Sequence, residues 1–261
     1  MRSLDIAATG MQAQQTNVEV ISNNIANMTT TAYKRRQAEF QDLIYQNLRR
    51  VGSDSSDSGS VVPAGAQVGL GVRTAAIYRI SEQGNLQQTS NTLDLAISGS
   101  GYFQITLPSG DTAYTRDGTF SLSPTGEIVT ADGYVVQPGI TVPSNALSVT
   151  INTTGQVQVT TAGTTAPTTV GQLQLATFPN EDGLDAQGDN LFLQSGASGN
   201  PVTGTPASPG FGTVMQGFIE TSNTNVVTEI TNLITAQRAY EMNSRVITTA
   251  DQMLSTLTNL R

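Results

Sequence analysis

The sequence predicts an α+β protein in which N- and C-terminal α-helices pair into a coiled-coil-like domain and a β-rich central domain lies between them along the chain. Three observations carry this. Apolar residues recur at helical spacing at both ends, whereas the sequence between them alternates and turns often. Hydrophobic content is 37%, aromatic content 5% and Trp absent, which suits thin β-layers with polar faces better than one thick core.

The N-terminal element comes first. Leu4, Ala8, Met11, Val18 and Ile25 follow 4-3 spacing, with Gln15 and Ser22 filling the series. Ala7, Ile21 and Met28 widen the stripe, which predicts an amphipathic helix ending near Asn27. Residues 34–68 then read as an extended segment. Within it Val51-Gly-Ser-Asp-Ser-Ser-Asp-Ser-Gly-Ser has loop composition, and two readings stand side by side: the tip of a long hairpin, or a linker to the next domain.

A β-rich domain is expected over residues 69–221. Asp94-Leu-Ala-Ile-Ser-Gly, Tyr102-Phe-Gln-Ile-Thr-Leu-Pro-Ser-Gly, Ala113-Tyr-Thr-Arg-Asp-Gly, Thr119-Phe-Ser-Leu-Ser-Pro-Thr-Gly, Glu127-Ile-Val-Thr-Ala-Asp-Gly and Tyr134-Val-Val-Gln-Pro-Gly are short strands, each closed by a turn signal. The Asp-Gly pairs at 117 and 132 signal hairpins. Further strands are expected at 147–151, 156–160, 172–178 and 190–194.

The last element is a long helix. Val226, Ile230, Leu233, Gln237, Tyr240, Ser244, Ile247, Asp251 and Leu254 keep strict 4-3 steps, with Ala250 and Met253 beside them. At ~1.5 Å per residue such a helix runs on the order of 50 Å and cannot bury two apolar lines by itself. Packing on its own domain accounts for either terminal stripe taken singly. Their placement at opposite ends favours helices that pair with each other, as residues 1–33 with 222–261, and then with neighbouring copies. Polar residues at seam positions, such as Gln15, Ser22, Gln237, Ser244 and Asp251, lower stability but fix register and partner number.

Charge and composition exclude much else. The net charge is −8, and residues 51–222 hold 3 basic against 13 acidic residues. This balance argues against nucleic acid as a partner, since phosphate binding draws on Lys and Arg. With no Cys and no His, thiolate and imidazole metal sites, Ser-His-Asp triads and Cys-His pairs are all absent. No transmembrane stretch is present, so no direct membrane insertion is expected, and Met1-Arg-Ser-Leu-Asp-Ile lacks a secretory apolar run. Alone, that start predicts a cytoplasmic protein.

The remaining motifs carry no catalytic, cofactor or metal assignment. Asn180-Glu-Asp-Gly-Leu-Asp-Ala-Gln-Gly-Asp-Asn misses EF-hand spacing and reads as an acidic surface turn. Gly69-Leu-Gly-Val-Arg-Thr lacks the third glycine and following helix of a dinucleotide loop, and reads as a strand with a close approach. Asp111, Asp117, Glu127 and Asp132 are enough carboxylates for a glycosidase pair, but most sit at turns, where Asp serves its own backbone. Lys34-Arg35-Arg36 reads as a cation cluster complementing the dipole of the preceding helix.

Thr9-Gly-Met-Gln-Ala, Ser22-Asn-Asn-Ile-Ala-Asn-Met-Thr-Thr-Thr-Ala-Tyr-Lys-Arg and Glu220-Thr-Ser-Asn-Thr-Asn-Val-Val-Thr-Glu-Ile-Thr-Asn-Leu-Ile-Thr-Ala-Gln-Arg-Ala-Tyr-Glu-Met-Asn-Ser resemble the terminal signatures of bacterial flagellar rod and hook proteins. Ile97-Ser-Gly-Ser-Gly-Tyr-Phe and Ala113-Tyr-Thr-Arg-Asp-Gly-Thr-Phe resemble the strand region of the same family. Phe40-Gln-Asp-Leu-Ile-Tyr, the inserted stretch 46–67 and Gly69-Leu-Gly-Val-Arg are similar to the distal rod type, whereas a hook subunit would be longer and lack the insertion.

The resemblance implies a structural subunit, not an enzyme, that stacks helically into a straight torque-bearing tube, with terminal helices inside, β-domain outside and the inserted hairpin between neighbours. Implied partners are copies of itself, adjacent proximal-rod and hook or junction proteins, the surrounding periplasmic and outer-membrane ring proteins, and the type III export apparatus. Export by that route makes a missing signal peptide expected and places the rod between periplasm and outer membrane. Asn23, Asn24 and Asn27 are expected to cap helix ends or bond neighbouring backbone. One departure stands out: Ala32 occupies a position where the family has Gly, and a positive φ there would cost about 1 kcal/mol. Alternatives from the same sequence are a hook or proximal-rod subunit and, from another class, a secreted β-rich adhesin or glycosidase.

Overall fold

The computed structural model describes residues 2–49, 64–163 and 166–259. The chain divides into two compact units, one of Met1–Ala26, Arg36–Arg79 and Asn225–Arg261, the other of Asn27–Arg35 and Ile80–Thr224. The order helix, strands, helix is the α+β class expected from the periodicity.

The first unit holds α1 (Arg2–Ala26), β1 (Arg36–Asp42), β2 (Tyr45–Arg49), β3 (Ala66–Gly69), β4 (Val72–Arg79) and α2 (Val226–Asn259). β1 pairs antiparallel with β4 from Arg36↔Arg79 to Asp42↔Val72, and β2 with β3 from Tyr45↔Gly69. Residues 36–49 and 66–79 are thus two arms of one ribbon; the Ser/Asp-rich stretch 51–60 lies outside the described residues. Because β4 pairs with β1, residues 69–79 join the ribbon and not the β-rich unit to which the alternation had assigned them. Gly71, at φ 124°, explains the Gly-Leu-Gly motif: a Cβ there would meet Thr9 Oγ1 of α1 at 2.2 Å. Asn225 caps α2, its Oδ1 accepting the N–H groups of Val227 and Thr228 at 3.1 and 3.2 Å.

The second unit is β-rich. Its strands are β5 (Leu86–Gln88), β6 (Leu95–Ser98), β7 (Tyr102–Thr106), β8 (Thr112–Thr115), β9 (Ser121–Leu122), β10 (Ile128–Val129), β11 (Val135–Val136), β12 (Ala146–Ile151), β13 (Gln156–Thr161), β14 (Thr168–Gln172), β15 (Leu175–Thr177), β16 (Asp185–Gly188), β17 (Leu191–Leu193), β18 (Val202–Gly204), β19 (Thr213–Gln216) and β20 (Phe218–Glu220). The largest sheet runs β16-β17-β8-β7-β11-β10-β9, with β15 and β18 branching from β7, and every pairing is antiparallel. One core gathers Leu95, Ile97, Phe103, Ile105, Phe120 and Val157, with Phe103 and Phe120 edge to face at 5.1 Å. A second, aromatic cluster places Tyr102, Tyr114 and Phe178 together.

Asp132-Gly133 forms the hairpin its sequence signals, between β10 and β11. Asp117-Gly118 does not: β8 pairs with β7 and β17, not with β9. Gly118 serves close approach instead, since a Cβ would fall 1.6 Å from the Leu95 carbonyl oxygen, and Asp117 Oδ1 accepts from the amide and hydroxyl of Thr119.

Candidate functional site

Within the first unit α1 and α2 lie antiparallel. Asn243 rests on Gly10, where a Cβ would meet its Nδ2 at 2.9 Å, and Asn24 Nδ2 donates to Glu229 Oε2 at 3.3 Å. Glu229, Ala236 and Ala250 are buried, and with the half-buried Asn243 they recur every seven residues on the α1-facing side of α2. On α1 the buried residues are Ala7, Ala13, Val20, Ile21 and Asn24. On α2, small and polar side chains therefore make the contact, which permits close backbone approach at Gly10.

The large apolar residues of the two stripes lie elsewhere. Leu4, Met11, Val18 and Ile25 are half-buried, as are Val226, Leu233, Ile247, Leu254 and Asn27, whereas Asn23, Ile230, Gln237 and Tyr240 are exposed. Val227 is 74% exposed, and Ile234, Met242, Val246 and Met253 join it on surface that α1 leaves uncovered. Gln15, Val18, Glu19, Gln237, Tyr240 and Glu241 line a groove of about 680 Å³ between the two helices.

Asn24 bridges two elements of the first unit. Its Nδ2 donates to Arg36 O and its Oδ1 accepts from Arg36 N, both at 2.8 Å, which ties the end of α1 to the start of β1. Asn27 Oδ1 accepts from the Thr30 hydroxyl in the second unit.

A feature that the pattern reading missed lies in the second unit. Glu220, on β20, is buried and binds three donors: Lys34 Nζ, Gly84 N at 2.8 Å and Arg116 Nε at 2.9 Å. Arg116 donates in addition to the carbonyls of Gly101 and Gly99, at 3.2 and 2.8 Å. Lys34 also donates to Glu82 O at 2.8 Å. Burial lowers the Lys34 pKa from its ordinary 10.5, and the adjacent Glu220 carboxylate opposes that shift. Lys34 is therefore the member of a buried ionic hub and not a dipole-complementing surface cation. The signal was present in the sequence: Lys34, Arg116 and Glu220 each belong to a different one of the motifs that carried the family resemblance.

Asn223 stands beside this hub. Its Nδ2 donates to Ile80 O and Glu82 O at 2.8 and 3.0 Å, and its Oδ1 accepts from Arg35 N at 2.8 Å. Ala32 adopts φ 56°, the left-handed region in question at that position, and its N–H donates to Glu220 O at 2.8 Å. In the acidic turn, Glu181 accepts from the Tyr102 hydroxyl at 3.0 Å and Asn180 donates to Ala197 O, so its polar groups serve the local fold. Among the described residues no group of acidic side chains has metal-binding geometry, and no helix is long and apolar enough to cross a membrane.

Comparison with known proteins agrees with this architecture part by part. Residues 4–34 match the family model described as flagella basal body rod protein, residues 96–159 the flagellar hook protein FlgE/F/G D1 domain, and residues 215–260 the flagellar basal body rod FlgEFG protein C-terminal. Helical termini and β-rich middle are thus each those of the flagellar rod and hook proteins. The chain is 59% identical to the flagellar basal-body rod protein FlgG of Caulobacter vibrioides over 100% of both chains. It is 54% identical to the protein of that name in Agrobacterium fabrum over 98% of this chain and 97% of the relative, and 39% identical to that of Bacillus subtilis over 100% and 99%. The chain belongs to the flagellar basal-body rod protein FlgG family.

Proposed function

We infer that the chain is a structural subunit of the distal rod of the bacterial flagellar basal body, and not an enzyme. The observation that carries this is identity of 59% across the full length of a basal-body rod protein, without gaps in coverage at either helical end. Basal-body location replaces the cytoplasmic reading.

The finer reading is supported by the uncovered apolar surface of the helices. We propose that α1 and α2 form a coiled-coil-like pair, residues 1–33 with 222–261, that packs with pairs from neighbouring copies into the inner tube of a straight, hollow, torque-transmitting polymer. The β-rich unit, from Ile80 to Thr224, forms the outer layer, and the ribbon of β1 to β4 lies between neighbours. Leu4, Met11, Val18 and Ile25 with Val226, Ile230, Leu233, Gln237, Tyr240, Ile247 and Leu254 supply the assembly surface, and Asn23, Asn24 and Asn27 set its boundary. Each fully buried Ile, Leu or Val contributes roughly 1.5–3 kcal/mol, so few such residues per interface suffice. Partners follow from position: proximal-rod and hook or junction proteins along the axis, ring proteins around it, and the type III export apparatus before assembly.

Deleting the gene and imaging isolated basal structures by electron microscopy tests this reading. A short rod ending before the outer-membrane ring is expected. A full-length rod lacking only the hook would move the chain to the hook role, and normal flagella would remove the flagellar role altogether.

A further inference from the structure

The chain passes between its two compact units four times, after residues 26, 35, 79 and 224. A subunit that carries torque must carry load along these passages, and covalent continuity alone would let each one peel residues away from the β-rich unit. We propose that Asn223 and Glu220 form a mechanical latch that joins the ends of three of these passages, after residues 35, 79 and 224, inside the β-rich unit and hands their load to Arg116.

The geometry supports this residue by residue. Asn223 holds the last residue before one passage, Arg35, through Oδ1, and the first residue after another, Ile80, through Nδ2. Asn223 itself stands one residue before the fourth passage, at 224, and its own N–H donates to Tyr33 O at 3.3 Å. Glu220, three residues upstream, takes Lys34 on one carboxylate oxygen and Arg116 on the other, while its backbone carbonyl takes Ala32 N. Arg116 is fixed in turn by the carbonyls of Gly99 and Gly101 in the β6–β7 turn, so the chain of bonds ends in the sheet core. Pulling on any one of these segments loads several hydrogen bonds together, and charge-assisted bonds are the stronger kind. Protein interiors seldom keep a carboxylate at 1% exposure with two cations unless its removal is worse, because desolvating three charges offsets most of their attraction.

The test uses the full chain, whose lack of cysteine makes introduced thiols unique handles. Val202→Cys in the β-rich unit and Val227→Cys on α2 are both at exposed positions, and a pull between them enters through residues 223 to 226. In a single-molecule force clamp, Asn223→Asp keeps the acceptor for Arg35 N but sets a carboxylate oxygen against two carbonyls. Its bound lifetime at fixed force is expected to fall roughly tenfold or more, the effect of about one to two hydrogen bonds. A core control, Val157→Ala, is expected to shorten the lifetime far less at an equal loss of thermal stability. A lifetime for Asn223→Asp equal to wild type, or equal to that control, overturns the latch. The wild-type chain is informative without any variant: abrupt high-force release is expected, and gradual low-force lengthening overturns the proposal. The inference rests on the rod reading for its use in the cell, which the gene deletion tests separately from the pull.

Discussion

Replacing Glu220 by Gln is the most incisive single perturbation of the β-rich unit. All three partners of the carboxylate are donors: Lys34 Nζ, Gly84 N and Arg116 Nε. A Gln amide offers one acceptor and turns an NH2 group toward a further donor, so two buried cations lose their counter-charge at once. Removing one partner of a buried ion pair costs about 3–5 kcal/mol. At ~2–4 °C per kcal/mol for a unit of this size, the expected fall in Tm is roughly 6–20 °C. With no Trp, near-ultraviolet circular dichroism follows the seven Tyr, of which Tyr33, Tyr102, Tyr114 and Tyr134 belong to the β-rich unit; a Tyr45→Phe, Tyr78→Phe, Tyr240→Phe background confines the signal to that unit. Asp132→Asn, at an exposed turn, is the charge-matched control and is expected to stay within about 0.5 kcal/mol. Adding Lys34→Met to Glu220→Gln removes one uncompensated cation and is expected to recover part of the loss. A drop below about 1 kcal/mol for Glu220→Gln would refute the reasoning.

Three further outcomes are expected. Asn24→Ala strands both backbone groups of Arg36 and a hydrogen bond of buried Glu229, and a loss of roughly 2–4 kcal/mol in urea unfolding of the helical unit follows. At Ala32, Gly relieves the left-handed strain but loses a buried methyl and gains unfolded-state entropy, so Ala32→Gly falls within about 1 kcal/mol of wild type. Ala32→Val, β-branched at the same φ, is expected to lose more than about 2 kcal/mol in urea unfolding of the β-rich unit. Burial raises the Tyr114 pKa above its ordinary 10.0, so the protonated phenol favours the folded chain below pH 10 and that stability is lost as pH rises beyond it. Tyr114→Phe is therefore expected to flatten the alkaline limb of a stability-against-pH curve.

Periodicity located both helices and alternation located most strands of the β-rich unit, because those signals are local. The face that each helix turns to its partner was less legible. A search for large apolar residues passes over Gly10, Ala13, Ala236 and Ala250, which are small because the backbones approach there. It selects Ile230 and Tyr240, which α1 leaves exposed. The ionic hub was illegible in the charge pattern for another reason: Lys34 and Glu220 are 186 positions apart, and nothing in the spacing of charges reports which distant partner will meet; only their places in the family motifs set them apart. Asp117-Gly118 failed as a hairpin signal because glycine there answers to Leu95, a residue more than twenty positions upstream, and not to its own turn.

The central claim is that the uncovered apolar face of α2 builds the rod. Ile234→Glu tests it directly, since Ile234 is 45% exposed and makes room for a carboxylate without disturbing α1. The variant chain is expected to melt at the wild-type temperature and to be exported, while electron microscopy of basal bodies from cells carrying only this variant shows rods ending short of the outer-membrane ring. Full-length rods with normal hooks in those cells would contradict the account.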